Sequence, residues 1–123
     1  MTNKILLAAG LTNVIGIIVF SKLFNNKNLS NFDSLFDNRG NILILLWGLT
    51  YIFTKNPYKN PLMLVFFLEK MVYVYNYYKS INEDIDKIKL FWEKDKITYL
   101  FLMLYGIIDL IFGLLFLYLF FVE

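Results

Sequence analysis

The chain has 123 residues, of which 59% are hydrophobic, 20% aromatic and only 18% charged, with a net charge of +2. A soluble domain of this size is roughly 45–50% apolar and about 25% charged, so the bilayer is the expected solvent, and a charge this small with no basic run speaks against a nucleic-acid partner. Cysteine and histidine are both absent, which removes disulfides, the usual zinc sites and every nucleophile arrangement built on Ser-His-Asp or Cys-His; no metal and no cofactor is expected.

The first apolar segment runs over about 5–24. Lys4 before an apolar run resembles a secretory signal, but no small-x-small cleavage pattern follows, and a span is expected instead. The second segment, about 40–55, is short for a crossing that needs about 20 apolar residues. Local thinning of the bilayer or extension into flanking polar residues would accommodate it. The third covers about 61–78 and opens with Asn60 as cap and Pro61 at the first helical position. The fourth, about 97–122, is the longest and most apolar. The segments lack the alternation of barrel strands, and helices satisfy backbone polar groups within lipid. The expected fold is therefore an all-α membrane protein: one integral membrane domain, a four-transmembrane-helix bundle with one or two short amphipathic interfacial helices in its connecting loops.

Two connections carry helical periodicity. In "NLSNFDSLFDNRGN", Leu29, Phe32, Leu35 and Phe36 recur at helical spacing. In residues 81–94, Ile81, Ile85, Ile88 and Trp92 do so, behind a Ser80–Glu83 capping-box pattern. An amphipathic helix at the interface is expected there. Its alternative is a soluble extension of the fourth span. Lys22, Lys27, Arg39, Lys79, Lys87, Lys89, Lys94 and Lys96 flank or occupy the two long connections, against Lys4, Lys55 and Lys59 on the other side. That excess predicts loops 25–41 and 79–96 in the cytoplasm of a bacterial inner membrane or an organellar membrane.

The polar residues inside the apolar segments are the candidate functional groups. A charge at the bilayer centre costs at least ~2.5–3.5 kcal/mol, yet Glu69, Lys70 and Asp109 all lie within predicted spans. Adjacent residues point about 100° apart on a helix, so Glu69 and Lys70 need partners elsewhere. Pairing of Lys70 with Asp109 is the leading geometry. It leaves one carboxylate, Glu69, which burial favours in its protonated form. Tyr73 lies four residues past Glu69, and Tyr105 four before Asp109. Asn13 and Tyr51 are candidate hydrogen-bond partners from the first and second spans. Ala9, Gly16, Gly48, Gly106 and Gly113 are the small residues expected to let helices approach closely. These polar and small stripes are expected to converge on the bundle interior.

In length and number of spans the chain resembles the small multidrug-resistance transporters, whose carriers use a membrane glutamate; theirs is on the first helix, whereas Glu69 is on the third. Three functions follow as expectations. The first is binding or transport of a lipid-like or cationic amphiphilic small molecule, with Glu69, Asp109, Lys70, Tyr73, Tyr51, Asn13 and Tyr105 in ligand-binding or proton-coupling roles. The second is an accessory or structural subunit of a larger membrane complex. The third is an intramembrane acid/base enzyme acting on a lipid through Glu69 and Asp109. The expected partners are the lipid bilayer, a small amphiphile, and a second copy of the chain or a larger membrane protein.

Overall fold

A computed structural model describes residues 2–54 and 60–122. Among these residues the protein is all-α, with no strand. Five α-helices follow in order: α1 (Thr2–Phe20), α2 (Lys27–Phe32), α3 (Asn38–Phe53), α4 (Asn60–Lys94) and α5 (Lys96–Val122); a single 3-10 turn, Ser34–Phe36, lies between α2 and α3. They divide into two compact units, an N-terminal one holding α1 to α3 and a C-terminal one holding α4 and α5.

In the N-terminal unit, α1 ends at Phe20, four residues before the expected end of the first segment. The chain turns back through three consecutive residues of left-handed backbone, Lys22, Leu23 and Phe24, with φ of 52°, 58° and 67°. Leu23 N–H donates to Ile18 O at 3.0 Å and Lys22 N–H to Val19 O at 3.1 Å, a Schellman ending that satisfies carbonyls the helix leaves open. Ser21 Oγ accepts from Phe24 N at 3.0 Å. The connection that follows is built from a succession of side-chain caps. Asn26 accepts from Leu29 N and starts α2, Asp33 accepts from Leu35 N and starts the 3-10 turn, and Asp37 accepts from Gly40 N and starts α3. Short polar side chains at such positions hold backbone donors that no helix turn satisfies. Leu29 and Phe36 are buried.

Helices α1 and α3 approach at two glycines. A methyl group on Gly48 would sit 2.9 Å from Gly10 O and 2.8 Å from Asn13 Cβ, and one on Gly10 would sit 2.6 Å from Gly48 O. Asn13 Nδ2 donates to Ile44 O at 3.3 Å across this crossing. Gly48 and the buried Ala9 thus occupy tightly packed positions. Gly16 does not: a methyl group there would meet nothing within 4 Å. The close-approach residue is Gly10, one position after Ala9 and therefore turned about 100° from it.

The C-terminal unit is an antiparallel helical hairpin. Phe66 packs edge-on against Phe116, Tyr77 against Tyr105, and Trp92 against Tyr99, so positions rising along α4 meet positions falling along α5. Asp95 makes the turn. Its Oδ1 accepts from Thr98 N at 3.3 Å and its Oδ2 from Thr98 Oγ1 at 2.8 Å, both residues buried. Residues 61–78 and 81–94, expected as two helices, form one. Ser80 is helical and buried rather than the head of a capping box, and the only non-helical backbone within α4 is at Asp84 (φ −122°, ψ 20°). A capping box needs extended backbone at its serine. Ser80 and Ile88 are both buried on this continuous helix, and burial of its packed face outweighs that local preference. The expected cap by the Asn60 side chain and the flanking Lys55 and Lys59 lie outside the described residues.

Two helices, α1 and α5, are long and apolar enough to cross a membrane, and only 28% of each apolar stretch is buried. The core helix of a soluble protein is mostly buried, so this exposure weighs toward membrane association. With 16 residues α3 falls short of that length, and the apolar half of α4 is interrupted by Glu69, Lys70 and Asn76.

Candidate functional site

The interface between α4 and α5 repeats every seven residues. Lys70 and Tyr77 lie seven apart on α4, and Gly106 and Gly113 seven apart on α5. Because the helices run in opposite directions, Lys70 meets Gly113 and Tyr77 meets Gly106. A methyl group on Gly113 would come 2.5 Å from Met71 Cε and 3.2 Å from Lys70 Cβ; one on Gly106 would overlap Cβ, Cγ and Cδ2 of Tyr77. Gly106 thus makes room for Tyr77, and Gly113 for Met71 and the base of Lys70.

The Lys70 side chain leaves α4 beside Gly113 and carries its ammonium to Asp109 on α5. Lys70 Nζ donates to Asp109 Oδ1 at 3.3 Å, and Glu69 Oε1 lies 3.8 Å from the same nitrogen. Lys70 is 1% exposed, and the side chains of Glu69 and Asp109 are 6% and 15% exposed. A charge so placed is held only by its partners, since water is not there to solvate it. The three groups form one cluster of two carboxylates on one ammonium, with Asp109 its more open member. Glu69 and Lys70, adjacent in sequence, share this cluster because the lysine reaches with its length. Their Cα–Cβ directions alone would have kept them apart.

One and a half to two turns further along α4 is a neutral polar cluster. Asn76 Nδ2 donates to Tyr105 OH at 3.0 Å, and Tyr77 OH donates to Met103 O at 2.6 Å. The Tyr105 ring stacks on Phe101 at 5.1 Å and meets Tyr77 edge-on at 5.2 Å. Tyr105 therefore bonds to Asn76 on α4, a residue the sequence reading left out. The signal for it was present: Glu69, Tyr73 and Asn76 recur at i, i+4 and i+7 on one helical face. Tyr73 is half-buried on α4.

Asn13 and Tyr51 belong to the N-terminal unit. Tyr51 is fully buried there, its ring 6.1 Å from that of Trp47. The residues brought together in the C-terminal unit are thus Glu69, Lys70 and Asp109 at one level and Tyr105 with Asn76 and Tyr77 at another. Among the described residues no group of three or more metal-ligating side chains is assembled. Lys70 is thus within ion-pairing distance of both carboxylates, 3.3 Å from Asp109 and 3.8 Å from Glu69. No family model, curated protein or solved structure matches the chain.

Proposed function

We propose that the chain is a small polytopic membrane protein that binds or transports a cationic amphiphilic molecule at the Glu69–Lys70–Asp109 cluster, with proton exchange as its counterpart. The observation that carries this reading is the charge balance: two carboxylates and one ammonium in an apolar helix pair, 3.3 and 3.8 Å from the shared nitrogen. Among these three groups the carboxylates outnumber the ammonium. In this reading a proton and an organic cation compete for the carboxylates. Access is from the side of Asp109, the most exposed of the three.

In this reading all four long segments cross the bilayer. Residues 60–83, before the break at Asp84, extend about 36 Å at 1.5 Å per residue, enough for a hydrocarbon core of about 30 Å. Their charges are neutralised within the hairpin. Helix α3 reaches across by local thinning, with Arg39 at one end and Thr54 at the other.

The test uses purified protein and tetraphenylphosphonium as the probe cation. Binding is expected to strengthen with rising pH, as protons leave the cluster. Glu69→Gln is expected to flatten that dependence. A Glu69→Gln protein with unaltered pH-dependent binding would remove the basis of the proposal.

A second reading, a subunit of a larger membrane complex, is favoured by one separate feature. Val65, Leu68, Val72 and Tyr75 recur at three- and four-residue spacing on α4 and are 46%, 54%, 58% and 70% exposed, a stripe suited to another helix. Purification in a mild detergent separates the two readings. A stoichiometric larger partner supports the subunit, and a lone chain or homodimer supports the binding protein.

A further inference from the structure

The end of the hairpin remote from Phe116 carries a feature that the charged cluster does not use. Trp92, near the end of α4, is half exposed, packs edge-on against Tyr99 with ring centroids 5.1 Å apart, and has the Lys96 ammonium 4.9 Å from its ring centroid. Lys89, Trp92 and Tyr99 line an open groove of about 320 Å³, near the small end of ligand-sized sites. One lysine and two amphipathic aromatic side chains thus wall the groove, with a second lysine, Lys96, set against the Trp92 ring, and the ammonium, indole and phenol groups that these residues carry can all donate hydrogen bonds. Such a set fits a phosphate.

The depth of the groove selects which phosphate. Helix α5 has 27 residues and is about 40 Å long, longer than the ~30 Å hydrocarbon core. Helix α5 opens at Lys96 beside the charged end of α4 and is apolar at its other end, up to Val122, so its first turns are the ones placed in the headgroup layer, where tryptophan and tyrosine concentrate and where lysines attract anionic lipid. We propose that Lys89, Trp92, Lys96 and Tyr99 form a binding site for the phosphate headgroup of an anionic phospholipid. This rests on the membrane placement of α5 argued above and is independent of what the Glu69 cluster binds. Asp86, three residues before Lys89, and Glu93, four after it, are the acidic residues at neighbouring positions on α4.

The experiment reconstitutes the full chain into phosphatidylcholine vesicles in which a fraction of lipid is replaced by brominated phosphatidylglycerol or brominated phosphatidylcholine. The emission of Trp92 is obtained as the difference between wild type and Trp92→Phe. The brominated anionic lipid is expected to quench it at a mole fraction about fivefold lower than the neutral one, the advantage of roughly one lysine near a charged surface, or lower still. Lys89→Gln with Lys96→Gln is expected to abolish the difference while leaving quenching by the neutral lipid intact, and Glu93→Gln to enlarge it. Equal quenching by the two lipids in wild type overturns the headgroup site and leaves the membrane placement standing. Absence of quenching by either overturns the placement itself. Displacement of the anionic lipid by millimolar inorganic phosphate overturns the assignment to a lipid headgroup.

Discussion

Lys70 is a long, normally solvated side chain held at 1% exposure between Asp109 and Glu69. Removing one partner of such a group is far more damaging than removing all of them, because the charge left behind has neither water nor a counter-ion. Lys70→Ala is expected to cost about 3–5 kcal/mol in stability, read as a lowered midpoint of thermal unfolding in detergent. Lys70→Met combined with Glu69→Gln and Asp109→Asn is expected to recover most of that loss. The glycines offer a matched comparison. At Gly106 an added methyl group overlaps a Tyr77 ring whose hydroxyl is tied to Met103 O, so the ring cannot swing away freely. Gly106→Ala is expected to destabilise by about 1–3 kcal/mol through overpacking. Gly16→Ala meets empty space and is expected to be neutral or stabilising by up to about 1 kcal/mol. Equal effects of the two substitutions would disprove the packing account of α4 and α5.

The connection from α1 to α3 is shaped by Asn26, Asp33 and Asp37 more than by its apolar residues. Asn26 does two jobs: it caps α2 through Leu29 N at 3.0 Å, and its Nδ2 donates to Phe20 O at 2.8 Å, closing the end of α1. Asn26→Ala removes both bonds and is expected to cost about 1–2 kcal/mol. Hydrogen exchange should show the loss as faster exchange at Leu29 and Ser30, and unchanged rates there would refute the double cap. The amphipathic pattern of Leu29, Phe32, Leu35 and Phe36 was legible in the sequence. Its division into a six-residue helix and a 3-10 turn follows from Asp33, whose carboxylate takes Leu35 N and starts a new element. Helix α4 is the opposite case. Ser80 and Glu83 spell a helix start, yet the helix runs through them, because a local cap is worth little beside contact with a neighbouring helix.

At the scale of the whole molecule, the four-span proposal fixes which connections share a side of the bilayer. Its lack of cysteine makes single introduced thiols clean reporters. Ser34→Cys and Glu83→Cys are expected to react with an impermeant reagent from the cytoplasmic side, and Lys59→Cys from the opposite side, if all four long segments span. Reaction of Lys59→Cys from the same side as the other two would mean that only α1 and α5 cross, and would contradict the four-span proposal. The positive residues that predict this orientation are accompanied by Asp33, Asp37, Glu83, Asp84, Asp86, Glu93 and Asp95, but acids weigh little in orientation. Asp33, Asp37 and Asp95 are in any case engaged as caps.

The amino-acid order alone was enough to specify an all-helical chain, because its apolar runs lack the alternation of strands and its connections carry helical spacing. It also specified that Lys70 would seek Asp109, since a buried ammonium requires a carboxylate and few are within reach. Periodicity could not say that Gly10 rather than Gly16 marks the close approach of α1 to α3, nor that Asn76 rather than a charged group meets Tyr105. Those outcomes depend on where a neighbouring helix lies and how far it is rotated. One step along a helix turns a side chain by about 100°, and only the packed partner selects which of two adjacent faces becomes the interior.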